Sequence, residues 1–348
     1  KIPHYRSIDL LREIDLIEEI ARLIGYDRFD THLPNPINPG TLNPMQITER
    51  RLRNNLISVG LQEVTTYSLV SNDTNQKHQI KIANPLLSET SHLRTNLWQE
   101  HLGVSRRNMD AGKSYCWLFE IGKIYTAGTN GIDECSLLSG VITGNKTSDK
   151  WSEKSKKNCI DYFEARGLLD NALKALKITT EDRIQKENDI LHPGKSVDIY
   201  LEGRKIGIFG QIHPALAIKN EVKQETYIFE LKLENILQAS TRSNKWIINY
   251  KKYPTVPSME RDLSVWVPTT CLTTDLIKSI KGTGKSILES VDLIDHYENN
   301  NQTLERKSLT FRLRYRKQDK TLTDSEISPI HNKIRSVLEL NHHAELRS

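Results

Sequence analysis

The sequence predicts an α+β fold, in which a mainly antiparallel sheet module precedes a smaller βαββαβ unit. Two observations support this class. Between Leu61 and Leu233, short strand-like stretches dominate and helices interleave with them, yet few units resemble parallel crossovers. From Tyr253 onward, the hydrophobic pattern changes to a strand–helix–strand–strand–helix–strand order. The 348 residues are enough for two or three domains, each with its own core.

An amphipathic helix is predicted at the start of the chain. Its apolar residues recur at helical spacing, namely Leu10, Ile14, Ile17, Ala21 and Ile24. Gly25 follows the last of them, where a left-handed C-terminal cap is favoured. Asp9 precedes the helix, and we expect it to be the N-cap.

Three acidic residues, Asp15, Glu18 and Glu19, stand at i, i+3 and i+4 on one face of this helix. Like charges at this spacing repel by about 0.2–0.5 kcal/mol per pair. A hard divalent cation would turn that repulsion into attraction. The alternative is an acidic solvated face, in which Arg22 could pair with Glu18, and Arg12 with Asp15 or Asp9.

Residues 31–45 are rich in Pro and Asn and predict an extended linker. A helix is then expected from about Thr48 to Gly60. Further strands are predicted at 63–70, 80–82, 136–143, 196–201, 205–211 and 227–233, with a strand pair at 115–125. Further helices are predicted from Leu97 to Asn108 and from Asp161 to Leu176.

Two histidines and one glycine-rich loop attract functional interpretations that we reject. His192 and His213 each precede a proline at a strand edge, and no nucleophile motif accompanies either, so we expect turn roles. The run from Gly282 to Ser286 resembles part of a P-loop. Position 279 is Ser, where that motif needs Gly, and a helix rather than a strand leads into the run.

The C-terminal unit is predicted to contain strands at 259–267, 288–297, 307–316 and 344–347. Its helices begin at Thr274 and at Thr323, where Glu326 completes a capping box. A turn is expected at 298–302. Pro329 lies inside the last helix and should kink it.

Alternation in the third of these strands separates two faces. Leu309, Phe311, Leu313 and Tyr315 should face the helices, so Arg312, Arg314 and Arg316 should point outward from the open face. Adjacent arginines suit a polyanion because arginine forks onto phosphate and stacks on bases. The alternative is a solvated charged face, partly paired with Asp292 or Glu305.

Composition limits the function classes. The net charge is +5 and the pI is about 8.8, which fits a polyanionic partner without proving one. None of the four cysteines forms a Cys-x-x-Cys pair, so no zinc knuckle or redox motif is indicated. No apolar run reaches the roughly 18–20 residues needed to span a bilayer, and no signal peptide is visible.

The N-terminal segment resembles the metal-ligating domain of the bacterial-type phenylalanyl-tRNA synthetase beta subunit. The resemblance is carried by Arg6-x-x-Asp9, by Asp15-Leu-Ile-Glu-Glu-Ile-Ala-Arg22 and by Ile24-Gly-Tyr-Asp27. It implies that four carboxylates ligate magnesium at the contact with the alpha subunit: Asp9, Asp15, Glu18 and Glu19. The chain begins with Lys1, so we expect a fragment that lacks the family's editing region and part of its first domain.

The middle of the chain is similar to the synthetase-like module of the same family. The similarity lies in 84–86, 93–97, 119–122, 192–196 and 207–214. It implies a class II synthetase fold without chemistry of its own. In agreement, the Gly-x-Gly-x-Gly-x-Glu-Arg string with which class II sites grip ATP is absent from the sequence.

The C-terminal unit resembles the family's ferredoxin-fold anticodon-binding domain, through 253–264, 295–297 and 321–324. We therefore expect three domains. These are a remnant of the magnesium-ligating domain at 1–33, the class II synthetase-like module at 34–245, and the anticodon-binding domain at 253–348.

The resemblance implies a function for the whole complex, which joins phenylalanine to tRNA(Phe) using ATP as a substrate. The catalytic alpha subunit would assemble with this chain in an α2β2 tetramer, with no membrane or DNA as partner. Two alternatives are a stand-alone RNA-binding protein with an inert synthetase-like domain and, less well supported, a P-loop kinase. Abundant Lys, Asn and Ile suggest the plastid stroma, with the bacterial cytoplasm as the alternative.

Overall fold

The computed structural model describes residues 2–33, 40–73, 78–129, 131–144, 159–185, 188–222, 224–242, 245–247, 249–250, 252–285, 287–298 and 306–347. The chain forms two compact units, Lys1–Ile247 and Ile248–Ser348. The predicted separation of 1–33 from 34–245 stays a prediction. Among the helices described, none combines the length and apolar character needed to cross a membrane.

The first unit combines six α-helices with nine strands within the described residues. The helices are α1 Glu13–Ile24, α2 Pro44–Ser58, α3 Trp98–Asp110, α4 Tyr162–Ala175, α5 Pro214–Lys219 and α6 Leu233–Ser240. The strands are β1 Gln62–Glu63, β2 Leu69–Val70, β3 His92–Leu93, β4 Tyr115–Gly128, β5 Gly131–Gly144, β6 Glu181–Ile184, β7 Leu191–Leu201, β8 Arg204–Ile212 and β9 Thr226–Lys232.

Seven of these strands form one sheet in the order β1-β4-β5-β9-β8-β7-β6. Only β1 and β4 pair in parallel, and every other pair in this sheet is antiparallel. Strands β2 and β3 form a separate pair. The prediction of a mainly antiparallel α+β module is therefore confirmed.

Strand alternation gives the sheet two apolar faces. On β5, Leu138 and Ile142 belong to the core shared with α2, α4 and α6. The intervening Val141 belongs to a second core, which α3 covers through Trp98 and Leu102. The large sheet is thus buried on both sides, as expected when successive side chains point to opposite faces.

The hairpin between β7 and β8 forms at the predicted turn. Glu202 and Gly203 both have positive φ, at 51° and 81°. A two-residue loop with two positive φ values is the type I′ turn, whose twist matches that of the strands it joins. Glycine at the second position adopts this conformation without steric cost.

Several boundaries differ from the sequence prediction. Helix α2 begins at Pro44 rather than near Thr48, because the Asn43 side chain accepts a hydrogen bond from the Gln46 N–H and proline suits the first helical position. The predicted strand at 63–70 is divided between β1 and β2. The expected strand pair at 115–125 is one continuous strand. Residues 34–39 of the predicted linker lie outside the described residues.

The second unit has the predicted βαββαβ order: β10 Met259–Pro268, α7 Thr273–Gly284, β11 Leu288–Glu298, β12 Arg306–Tyr315, α8 Asp324–His342 and β13 Glu345–Leu346. The sheet order is β11-β12-β10-β13. The apolar residues of β12 are buried with those of α7 and α8, as predicted. The predicted turn at 298–302 lies outside the described residues beyond Glu298.

Two predictions about the helices of this unit have separate outcomes. Helix α7 leads into the glycine-rich run, as predicted, and continues to Gly284, while Ser286 lies outside the described residues. Helix α8 remains continuous through Pro329. Whether Pro329 bends that helix stays a prediction.

Candidate functional site

The first candidate site is the acidic segment around α1. The Asp15 carboxylate accepts hydrogen bonds from the backbone N–H groups of Leu11, at 3.0 Å, and Arg12, at 2.8 Å. The carboxylate thereby satisfies two backbone donors that precede the helix. In turn, these two hydrogen bonds hold the pKa of Asp15 below its usual value. The N-cap is Arg12 rather than Asp9, because the helix begins at Glu13, four residues later than Asp9.

Arginines neutralise two of the other carboxylates. Arg6 donates to Asp9 at 2.8 Å and to Glu19 at 2.6 Å, and Arg22 donates to Glu19 at 2.6 Å. The hydrogen bonds from Arg22 and Arg6 hold the pKa of Glu19 below its usual value. Of the alternative ion pairs, Arg12 lies 3.6 Å from Asp15 as expected, whereas Arg22 pairs with Glu19 rather than with Glu18.

The four predicted magnesium ligands are not gathered into one site. Within the described residues, no group of three or more His, Cys, Asp or Glu side chains is placed to hold a metal ion. The carboxylates have the chemistry that magnesium prefers. Their arrangement does not fit the ion, however, because Arg6 lies between Asp9 and Glu19, and the carboxylate of Asp15 faces backbone N–H groups.

Helix α1 also presents its apolar side to solvent. None of its residues is buried, and Ile14, Ile17 and Ile20 are each more than half exposed. The apolar stripe predicted from the sequence is present, but nothing within the described residues covers it.

The second candidate site is the open face of the C-terminal sheet. Arg312 forks onto Asp262 with two hydrogen bonds of 2.9 Å. Arg314 donates twice to Glu260, at 3.0 and 2.9 Å. The register places each of these arginines directly opposite its carboxylate, across β10 and β12. Cross-strand pairs of opposite charge stabilise such a face.

The third arginine, Arg316, has its Nε 3.0 Å from a Glu289 carboxylate oxygen. For the three arginines together, the alternative interpretation named Asp292 or Glu305 as partners. Asp292 instead accepts a hydrogen bond from Ser290, and Glu305 lies outside the described residues. The outward orientation of the arginines was therefore predicted correctly, whereas the Asp292 partner was wrong.

Aromatic side chains lie on the same sheet. Trp266 and Tyr297 meet edge to face with ring centroids 6.3 Å apart, and the Arg347 guanidinium lies 5.6 Å from the Trp266 ring. Both aromatic residues stand opposite Ser308 of β12. Arginine beside an aromatic ring offers a cation and a stacking surface to a nucleobase.

A third cluster, which the sequence reasoning missed, is buried in the first unit. The Arg94 guanidinium donates to Glu120 at 2.9 Å, to the Thr66 hydroxyl at 2.8 Å and to the Lys123 carbonyl at 2.8 Å. Thr66 in turn donates to Glu120 at 2.6 Å, and His101 lies 3.2 Å from the same carboxylate. We call this set, with its four side chains, the Arg94 network.

Electrostatics explain why the Arg94 network stays charged. Burial acts to raise the pKa of Glu120, but hydrogen bonds from His101 and Thr66 and the charge of Arg94 outweigh it. The pKa of Glu120 is therefore below its usual value. Gly122 belongs to this arrangement, because a Cβ there would lie 2.6 Å from Arg94 and 2.7 Å from Glu120.

A second, partly buried carboxylate lies two strands away on the same row. Glu120 pairs with Ser139, and Ser139 pairs with Glu230. Glu230 accepts the N–H of Leu97 at 2.8 Å, at the N-terminus of α3. Burial raises the pKa of Glu230 to about 7, although hydrogen bonds from the backbone N–H groups of Leu97 and Trp98 act to lower it.

The Glu120 and Glu230 carboxylates of the first unit are bound by neighbouring groups of the chain. His213 is the N-cap of α5, where its ring accepts the Ala215 N–H. His192 lies within β7, next to an irregularity in strand pairing, and its ring accepts the Gly194 N–H. The missed network had one sequence signal, namely single charges inside apolar stretches at Leu93-Arg94 and Phe119-Glu120-Ile121.

Three family models match the chain in succession. The phenylalanyl tRNA synthetase beta chain CLM domain matches residues 30–233. The tRNA synthetase B5 domain matches residues 1–26, and the ferredoxin-fold anticodon binding domain matches residues 254–347.

Curated relatives are similar over the whole chain. The phenylalanine–tRNA ligase beta subunit of Prochlorococcus marinus is 51% identical over 348 residues, which cover 100% of this chain and 42% of that protein. The corresponding subunit of Parasynechococcus marenigrum is 48% identical over 346 residues, covering 99% and 42%. The chain therefore spans less than half the length of these relatives.

Among solved structures, a pyrrolysyl-tRNA synthetase from Desulfitobacterium hafniense has a TM-score of 0.43 and 16% sequence identity. The match covers 56% of this chain and 66% of that one.

Proposed function

This chain belongs to the phenylalanyl-tRNA synthetase beta-chain family, and from that premise we propose that it is part of a ligase that joins phenylalanine to tRNA(Phe) with ATP. Its proposed roles are to scaffold the catalytic alpha subunit in an α2β2 complex and to position the tRNA. The observation that carries the proposal is the succession of a beta-chain module and an anticodon-binding domain in one polypeptide.

The first unit is the proposed scaffold, with a class II synthetase-like module that performs no chemistry. In support, the buried side chains of Arg94, Glu120 and His101 are engaged with one another in the Arg94 network. The proposed location is the plastid stroma, supported by the Lys-, Asn- and Ile-rich composition and by the similarity to cyanobacterial proteins. Recovery of the chain only outside plastids after cell fractionation would contradict this location.

We propose that Asp9, Asp15, Glu18 and Glu19 retain magnesium only when the alpha subunit is bound. In the chain by itself, Arg6 is bound to the Asp9 and Glu19 carboxylates. Magnesium can bind these two carboxylates only after Arg6 has moved away from them. When bound, magnesium would supply positive charge at the subunit contact. The Glu18 side chain makes no hydrogen bond or ion pair within the described residues and is therefore available for such a contact.

Metal analysis of the copurified complex tests this site. Replacing Glu18 and Glu19 by Gln should lower the magnesium content measured by elemental analysis, because the ion loses two carboxylate ligands. The Glu13→Gln variant changes a carboxylate on the same helix and should keep the wild-type content. Equal metal content in all three complexes would refute the assignment. Failure of the wild-type chain to copurify with alpha would instead favour the stand-alone RNA-binding protein.

We further propose that the open face of the C-terminal sheet binds the tRNA backbone. We call this surface, with Arg312, Arg314 and Arg316, the arginine face. Support comes from three arginines at alternate positions around the C-terminal end of β12, on the sheet that also carries Trp266 and Tyr297. Each arginine is paired with a carboxylate in the free chain, so phosphates must compete with Asp262, Glu260 and Glu289. Because of this competition, removing an arginine should weaken tRNA binding, whereas neutralising its carboxylate partner should strengthen tRNA binding.

Replacing Arg312 and Arg314 by Ala should weaken tRNA binding and reduce the slope of log K against log[salt] by about 0.9 for each lost phosphate contact. Asp262→Asn should strengthen binding, by up to the roughly 0.2–1 kcal/mol typical of an exposed ion pair. Binding would be measured by fluorescence anisotropy with labelled tRNA and the assembled complex.

The control is Arg261→Ala, which removes an arginine that pairs with Asp324. Arg261 stands between Glu260 and Asp262 on β10, so strand alternation places it on the opposite face of the sheet. It should leave the salt slope unchanged. An unaltered slope for the Arg312 and Arg314 variants would leave these residues as paired surface charge.

A further inference from the structure

The first unit carries a second group of cations around one tryptophan. The Arg51 guanidinium lies 4.3 Å from the centroid of the Trp246 ring, and the Lys177 ammonium lies 5.0 Å from it. Lys177 also donates to the backbone carbonyl of Lys245, at 2.8 Å. We call Arg51, Lys177, Lys245 and Trp246 the Trp246 cluster.

Packing between helices holds this cluster in place. Arg51 lies on α2 beside the fully buried Leu52, and Lys177 lies in the turn after α4 with a φ of 57°. Asn55 of α2 donates to the Ala172 carbonyl of α4 at 3.2 Å. The Trp246 indole N–H donates to the Ser240 carbonyl at the end of α6, at 2.7 Å. The middle of α2, the turn after α4 and the end of α6 thus all contact Trp246.

The cations of the cluster differ from their neighbours in lacking acidic partners. Within the described residues, Arg51, Lys177 and Lys245 form no ion pair. By contrast, nearby basic residues are paired, namely Arg53 with Glu49 and Glu63, Lys174 with Asp170, and Arg242 with Glu202.

Two unpaired cations therefore lie over the same ring, no farther apart than the sum of their distances to it. That upper limit lies within the roughly 8–10 Å over which physiological salt screens exposed charges, so the two cations repel each other. The indole offsets part of their repulsion through cation–π attraction. An anion placed between the cations would offset the rest.

We infer that the Trp246 cluster contacts the RNA backbone, as a second tRNA contact besides the arginine face. This inference rests on the proposed tRNA-ligating function. Cations fixed beside an aromatic ring are the combination that tracks a nucleic-acid backbone. The phosphates supply the negative charge that the chain itself does not place there.

The test uses the assembled complex and labelled tRNA(Phe), with affinities measured between 50 and 300 mM salt as in a counterion-release experiment. Replacing Arg51 and Lys177 together by Gln should reduce the slope of log K against log[salt] by about 1–2. The unfolding temperature should stay close to that of the wild type, because both side chains are exposed. If the double variant is poorly folded, Lys177→Gln alone should remove about half of the effect.

The matched control replaces Arg204 and Lys219 by Gln. It removes the same two charges from exposed positions of the same unit and should leave the slope unchanged. Equal slopes for both double variants, with normal tRNA binding by the wild type, would overturn the RNA contact alone. Absence of tRNA binding by the wild-type complex would overturn the proposed function itself.

Discussion

Replacing Arg94 by Met should destabilise the first unit by about 3–5 kcal/mol, the range for removing one partner from a buried ion pair. Arg94 and Glu120 are 5% and 2% exposed. Without the guanidinium, the Glu120 carboxylate would stay buried with one fewer donor and no compensating charge. The Lys123 carbonyl would also lose its hydrogen bond from Arg94.

Urea unfolding followed by tryptophan fluorescence measures this loss, because four of the five tryptophans belong to the first unit. The control is Arg106→Met, which breaks the exposed pair with Glu221 and should cost about 0–1 kcal/mol. Adding Glu120→Gln to Arg94→Met should restore part of the stability, since the uncompensated charge is then gone. A loss of less than about 1 kcal/mol for Arg94→Met would show that the Arg94 network contributes little.

The Arg94 network also bears on what the first unit can do. It lies on a sheet row that runs from Glu120 through Ser139 to Glu230, beneath α3. Ser139 lies 3.4 Å from His101, and Glu230 is bound to the start of α3. The polar groups of this row are thus bound either to one another or to the start of α3. We take this as support for the proposal that the unit is a scaffold.

Local patterns explain which parts of the fold could be predicted. The C-terminal βαββαβ order follows from strict alternation in β12 and from the capping box at Thr323, both of which are short-range features. The type I′ turn at Glu202 and Gly203 is equally local. The start of α2 could have been found as well, because Asn43, Pro44 and Gln46 form a helix-start pattern, but the surrounding proline-rich run obscured it.

Long-range pairing explains what could not be predicted. The alternation of β12 places Arg312 on the open face, but its partner Asp262 is 50 residues away and is selected by strand register. Arg94 and Glu120 are likewise 26 residues apart on different elements. The acidic residues of α1 were recognised as a cluster, while the position of Arg6 between Asp9 and Glu19 depends on the turn that precedes the helix.

The largest effect is expected for aminoacylation, because the proposed chemistry lies on another subunit. The sequence lacks the Gly-x-Gly-x-Gly-x-Glu-Arg string of class II ATP sites. The beta chain alone should therefore show none of the enzymatic acceleration, which is typically about 10⁶-fold or more. Adding the alpha subunit should restore it.

The most direct test of the scaffold role is a tRNA(Phe) charging assay with radiolabelled phenylalanine and ATP. It compares the beta chain at its natural length, the alpha subunit, and the complex purified from cells that express both. We expect charged tRNA from the complex and none from the beta chain alone. Charging by the beta chain without alpha, at a rate comparable to that of the complex, would contradict the proposal that this chain presents the RNA to a catalytic partner.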